Sequence, residues 1–192
     1  MRTLWFIASC AALLAAGCFP YTSEFYHPSA DGGTLRESPY HGRSCSSFSG
    51  KLSTIEFQRS GVIIMFSAFV SHNYGPLLAM SIILPEGGSA VISPPTALLS
   101  TSVHEVSDIL TAETYHWYEQ GMVNRRPINE PIVGFSYGKT RRIYDIWFVG
   151  AKKFPDTFKI TPPKILINGE LINLPEIKFK WGTSLQIVPI NC

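Results

Sequence analysis

Two apolar runs, VIIMFSAFV at residues 62–70 and LLAMSIIL at 77–84, are separated only by SHNYGP. Runs of eight or nine residues with no polar face, bounded by turn formers, suit strands buried on both sides better than helices. Sequential strands usually lie side by side. The two runs are therefore expected to be neighbouring central strands of one sheet. Pro85-Glu86-Gly87-Gly88 breaks the chain after them, and Ala90 to Ser93 can begin a further strand.

The C-terminal third carries the same signature in another form. In KILI-NG-ELI, Lys164 to Ile172, the Asn168-Gly169 pair between apolar runs predicts a tight hairpin, because both turn positions need positive φ. In EIKFKW, Ile177, Phe179 and Trp181 alternate with Glu176, Lys178 and Lys180. That period of two places one face in a core and the other in water. Arg142 to Val149, RIYDIWFV, predicts another strand with Tyr144, Ile146 and Phe148 on one side. Residues 97–120 admit two readings. Leu99, Val103, Val106 and Leu110 have helical spacing, but the intervening Ser and Thr are weak helix formers, so a short helix and a pair of strands both remain open. Short strands, 14 prolines and no long helical pattern predict an all-β sandwich. An immunoglobulin-like arrangement is one architecture the pattern admits, without the cysteine spacing of an antibody domain.

The N-terminus has a different logic. Arg2 is the only charge before Glu24, and Thr3 to Gly17 is an uncharged, mostly apolar run. A basic start, an apolar stretch and small residues have the form of a secretory signal. The run is shorter than the roughly 18–20 residues of a membrane-spanning helix. Its end, Leu14-Ala15-Ala16-Gly17-Cys18, resembles the lipobox of bacterial lipoproteins. The resemblance implies cleavage before Cys18 and acylation of that cysteine on its sulfur and on its new amino group. Ala15 stands where that family most often has Leu. Ile7-Ala8-Ser9-Cys10 also fits the letters, but leaves too short an apolar core before the cysteine. With Phe19 rather than Asp after the cysteine, the resemblance further implies an outer-membrane destination, facing the periplasm. Residues 1–17 thus read as a signal peptide. Residues 18–50, rich in Pro, Ser and Gly, read as an irregular lipidated tether, and residues 51–192 as a single β-rich domain.

Composition narrows the function classes. Charged residues make up 16% of the chain, with 16 basic against 14 acidic side chains, and the basic pairs are scattered. This balance provides no electrostatic footprint for nucleic acid. The expected partners are the membrane, through the lipid, and an envelope protein. Cys45 and Cys192 remain in the mature part, near its two ends. An oxidising envelope permits a Cys45–Cys192 disulfide, and closing so long a loop is worth about 5 kcal/mol in the chain-entropy model. No C-x-x-C or H-E-x-x-H spacing points to zinc, and no cofactor motif is present. His104, Glu105 and Asp108 are polar residues on a mixed segment and read as surface.

Two stretches remain as candidate chemistry. Gly134-Phe135-Ser136-Tyr137-Gly138 spells G-x-S-x-G, the form of a serine-hydrolase elbow. An elbow needs strand, tight turn and helix, followed by the acid and the histidine. Here KTRRIYDIWFV follows, a turn and a strand, and all five histidines precede Ser136. Ser136 to Lys139 also spells S-x-x-K, but without the helix that lets the amine reach the hydroxyl. No catalytic residue is therefore assigned. Tyr115-His116-Trp117-Tyr118 is a dense aromatic segment. Tyr115, Trp117 and Tyr118 form a candidate binding patch, since aromatic faces stack on sugars or anchor proteins. On a strand, however, Tyr115 and Trp117 would share a face that can equally be core. The expectation is a non-catalytic binding or structural module anchored by lipid. The alternatives are an envelope carrier of a lipid or other apolar ligand, lined by the two apolar strands, and a serine hydrolase using Ser136.

Overall fold

The computed structural model describes residues 18–37, 53–71, 74–101 and 106–189, with no helix among them. The two apolar runs form β4 (Val62–Ser71) and β5 (Gly75–Ile83), paired antiparallel with Phe66 opposite Met80. They lie inside a seven-stranded sheet with β2 (Thr34–Arg36), β3 (Thr54–Arg59), β9 (Thr114–Glu119), β10 (Met122–Pro127) and β14 (Ile143–Phe148). The order is β10-β9-β14-β5-β4-β3-β2. Side chains of β4 and β5 are buried on both faces of this sheet, which is why neither strand shows a polar alternation.

A five-stranded sheet packs against it in the order β1-β18-β15-β7-β8, built from β1 (Cys18–Ser29), β7 (Thr96–Ser100), β8 (Val106–Thr111), β15 (Thr157–Thr161) and β18 (Ile177–Pro189). A third, four-stranded sheet runs β11-β6-β16-β17 and comprises β6 (Ser89–Ile92), β11 (Ile132–Val133), β16 (Ile165–Ile167) and β17 (Glu170–Ile172). One continuous apolar cluster joins all three sheets, with Phe66, Ile82 and Phe148 from the first, Leu99, Phe158 and Phe179 from the second, and Ile92 and Ile165 from the third. The architecture is an all-β sandwich built around this cluster. At its centre Phe158 stacks on Phe154 at 4.7 Å and on Phe179 at 5.2 Å, and meets Tyr26 edge-on. Tyr26 is buried and donates its hydroxyl to the Phe154 carbonyl at 3.1 Å, which satisfies the one polar atom it brings inside.

The expected hairpin forms between β16 and β17, with Asn168 at φ 51° and Gly169 at φ 85°. In β18, Ile177 and Phe179 are buried and Lys178 and Lys180 exposed, as the alternation requires. Among the described residues of 97–120 the open question resolves to strands: Leu99 lies on β7 and Leu110 on β8, both in the core, while Val103 lies outside the described residues. Leu99 and Leu110 share the inward face because they sit on antiparallel, directly paired strands and not on one helix. The chain then passes from one sheet to the other, where Thr111 and Val149 exchange backbone hydrogen bonds of 2.8 and 2.9 Å.

One expectation is corrected. Residues 18–37 are not an irregular tether. β1 pairs with β18 along its whole length, from Cys18 opposite Pro189 to Ser29 opposite Lys178, and β2 pairs with β3. The domain therefore includes residues well before Lys51. β1 escapes detection because it is an edge strand whose Pro20 and Pro28 read as breakers. At an edge, a nitrogen that cannot donate is tolerated. The predicted signal peptide, residues 38–50 and the Cys45–Cys192 pair lie outside the described residues.

Candidate functional site

The outer face of the seven-stranded sheet is unusually polar for a surface so well buried. Strand register lines up His116 on β9, Asp145 on β14, Ser81 on β5, Met65 on β4 and Glu56 on β3 in one row across the sheet. Ser81 donates to Asp145 at 2.6 Å, Thr54 and Ser67 share a 2.6 Å hydrogen bond, and Glu56 accepts from Arg36 and Gln58. His116 packs edge-on against Trp147 with ring centroids 4.4 Å apart, and its buried Nε2 has no hydrogen-bond partner. Burial holds its pKa below the ordinary histidine value, against the opposing pull of Asp145, while Arg125 adds to the lowering. Ser, Asp and His thus meet in one row, but in the wrong sequence for a nucleophile. A triad places the imidazole between the hydroxyl and the carboxylate, whereas Ser81 is fully buried and donates its proton to Asp145.

At its β9–β14 end this face opens into a cleft. The wall is made by GFSYG. Gly134 is held by two backbone hydrogen bonds to the β5–β6 loop, donating to the Gly88 carbonyl and accepting from Gly87. A side chain there would run into the Pro85 carbonyl and Leu84, so only glycine permits the approach. From this anchor a small hairpin rises, β12 (Ser136–Tyr137) paired with β13 (Thr140–Arg141), turning at Gly138 with φ 62°. The Phe135 carbonyl accepts from the Arg142 amide at 2.8 Å and closes the base. The strand–turn–strand form puts Ser136 opposite Arg141, in place of the strand–turn–helix an elbow requires.

The cleft has a volume of about 740 Å³. Tyr118, Phe135, Tyr137 and Ile143 are its apolar members, with Glu119, Gln120, Thr140, Arg141, Arg142 and the buried Asp145 as polar members. The aromatic side chains are left open to solvent: Tyr137 is 82% exposed, Tyr118 61% and Phe135 44%. Arg142 fixes the geometry. Its guanidinium lies 4.3 Å from the Phe135 ring centroid and 5.2 Å from that of Trp117, and it donates to Glu119 at 2.8 Å. Arg141 donates to the Gly61 carbonyl at 2.9 Å, tying the hairpin to the β3–β4 turn. On the far side of Phe135 and Arg142 lies a smaller depression of about 200 Å³ beside Trp117 and Tyr144.

The candidate aromatic patch is split by the strand. Tyr118 lines the cleft. Tyr115 is buried on the core side, where its hydroxyl donates to the Pro131 carbonyl and its pKa is raised, chiefly by burial. Trp117 is half-buried on that side and donates to Glu119. Cys18 is the first residue of β1. Among the described residues, no cluster of three histidine, cysteine, aspartate or glutamate side chains is placed to hold a metal ion. His104 and Glu105 lie outside the described residues. Phe135, Tyr137, Arg141 and Arg142 are cleft residues that the sequence pattern did not single out. Their one local signal is a glycine-bounded turn carrying two aromatics where turns usually carry small polar residues. No family model, curated protein or solved structure matches the chain.

Proposed function

We propose that this chain is a lipid-anchored binding module of the bacterial cell envelope, held at the outer membrane through Cys18 and facing the periplasm, with the cleft between β9, β14 and the β12–β13 hairpin as its binding site. The cleft carries the reading: exposed aromatic side chains converge with a few charged groups in a concavity of the size that takes small ligands or the end of a larger one. The carrier alternative has less support, since the apolar side chains of β4 and β5 fill the sandwich core. The anchor rests on the lipobox resemblance. Each buried methylene contributes about 0.8 kcal/mol, so several acyl chains suffice for stable attachment. Because strand pairing starts at Cys18 itself, lipid there would bring the β1–β18 edge of the sandwich close to the bilayer.

Two measurements test this. Cys18→Ser is expected to abolish acyl labelling and leave unprocessed precursor; normal processing of the variant removes the anchor. A benzophenone amino acid placed at Tyr137 in the full-length chain in cells is expected to capture a partner that the same probe at the exposed Lys153, outside the cleft, does not. Identical adducts from both positions, or the absence at position 137 of any adduct, protein or glycan, would defeat the binding assignment.

A further inference from the structure

Building on the cleft as a binding site, we infer that its ligand is a saccharide, a polyhydroxylated ring of an envelope glycan, stacked on the aromatic wall. The first observation is the pairing of surfaces. Tyr118, Phe135 and Tyr137 are exposed, and a sugar ring offers an apolar C–H face to an aromatic face. The second is the balance of the polar members. Arg141 and Arg142 donate; Glu119 and Asp145 accept; Thr140 and Gln120 do both. Hydroxyl groups both donate and accept, so adjacent hydroxyls match such a mixture. An isolated phosphate would face two carboxylates, and an isolated cation two guanidinium groups.

The third observation is that the polar groups are held in place before binding. Asp145 sits at the buried end of the cleft and accepts from Ser81 at 2.6 Å. Arg142 is clamped between Phe135, Trp117 and Glu119, and Arg141 is fixed to the Gly61 carbonyl. Preorganisation of this kind lowers the entropy lost on binding, which matters most for a ligand that gains little per contact. A peptide segment would more naturally add to a sheet edge, whereas the wall here is a two-strand hairpin standing over a sheet face.

The experiment uses the full-length chain purified in a sugar-free zwitterionic detergent, applied to an immobilised array of neutral, N-acetylated and uronic-acid oligosaccharides. Saturable retention on at least one class is expected. Tyr137→Ala and Tyr118→Ala should each weaken it about tenfold or more, the loss of one aromatic anchor, with the melting temperature unchanged because both side chains are largely in solvent. Retention on no class, or retention indifferent to both substitutions, overturns the saccharide assignment. If the array is empty while the probe at position 137 captures a protein, the saccharide is overturned and the binding site stands. If both are empty, both fall.

Discussion

Arg142 is the residue on which the cleft depends, and its removal has a calculable cost. Its side chain is only 17% exposed. It makes two cation–π contacts, at 4.3 and 5.2 Å, each worth about 0.5–1 kcal/mol at a part-exposed site. Its ion pair with Glu119, whose side chain is 44% exposed, adds about 0.2–1 kcal/mol after screening. Arg142→Ala should therefore destabilise the chain by about 1–3 kcal/mol. Glu119→Gln, which removes the ion pair and leaves one oxygen to accept from Arg142 or Trp117, should cost no more than about 1 kcal/mol. Arg142→Lys should fall between them, since it keeps the charge and loses the planar group that lies over Phe135 and Trp117. Urea unfolding followed by tryptophan fluorescence gives all three values, and the Arg142/Glu119 double-mutant cycle isolates the pair. If Arg142→Ala lies within about 0.5 kcal/mol of the parent chain, or Glu119→Gln costs as much as Arg142→Ala, stacking does not hold the cleft and the reasoning fails.

The glycines of GFSYG should respond differently. Gly134→Ala forces a methyl into the Pro85 backbone and should cost about 1–3 kcal/mol or more, with the largest effect on the cleft. Gly138→Ala meets nothing within 4 Å and should cost only the left-handed backbone penalty of about 1–2 kcal/mol, measured by the same unfolding assay. Phe158→Ala removes the centre of the Tyr26–Phe154–Phe179 stack and should lower stability by about 3–5 kcal/mol, read as a large drop in the urea midpoint at constant slope. His116 gives a pH dependence of known sign. Its folded-state pKa lies below the ordinary value of about 6.5, so on acidification the unfolded chain takes up this proton first. Its contribution is fully present above about pH 6.5 and is lost as pH falls toward the folded pKa. The midpoint should drop between pH 7.5 and 5.5, and His116→Gln should reduce that drop; an equal drop in both chains would show that the titration lies elsewhere.

The strands that bury two faces, or alternate cleanly between core and water, were legible from residue order alone. The apolar runs at 62–68 and 77–84 had to be inside, Asn168-Gly169 had to turn, and Ile177 and Phe179 had to face away from Lys178 and Lys180. Each of these follows from contacts a residue makes with its immediate surroundings, which its own polarity and branching report. β1 was not legible, because its partner β18 lies at the other end of the chain: Tyr26 packs into the core, but a ladder of backbone hydrogen bonds sets the strand along its twelve residues. Backbone groups are the same in every residue and leave no mark in the letters.

The cleft illustrates the same division. From order and composition came an all-β chain, an aromatic stretch at Tyr115 to Tyr118, and a glycine-bounded turn that lacked the context of an elbow. Which aromatic faced which way, that Tyr118 would meet Tyr137 across a concavity, and that Arg142 would lie over Phe135 and Trp117 depended on the pairing of β9 with β14 and on Gly134 docking against Leu84 and Pro85. Periodicity encodes whether a side chain points inward. Which side chains then meet is decided by strand partner and register, and those are set by packing summed over the whole sandwich.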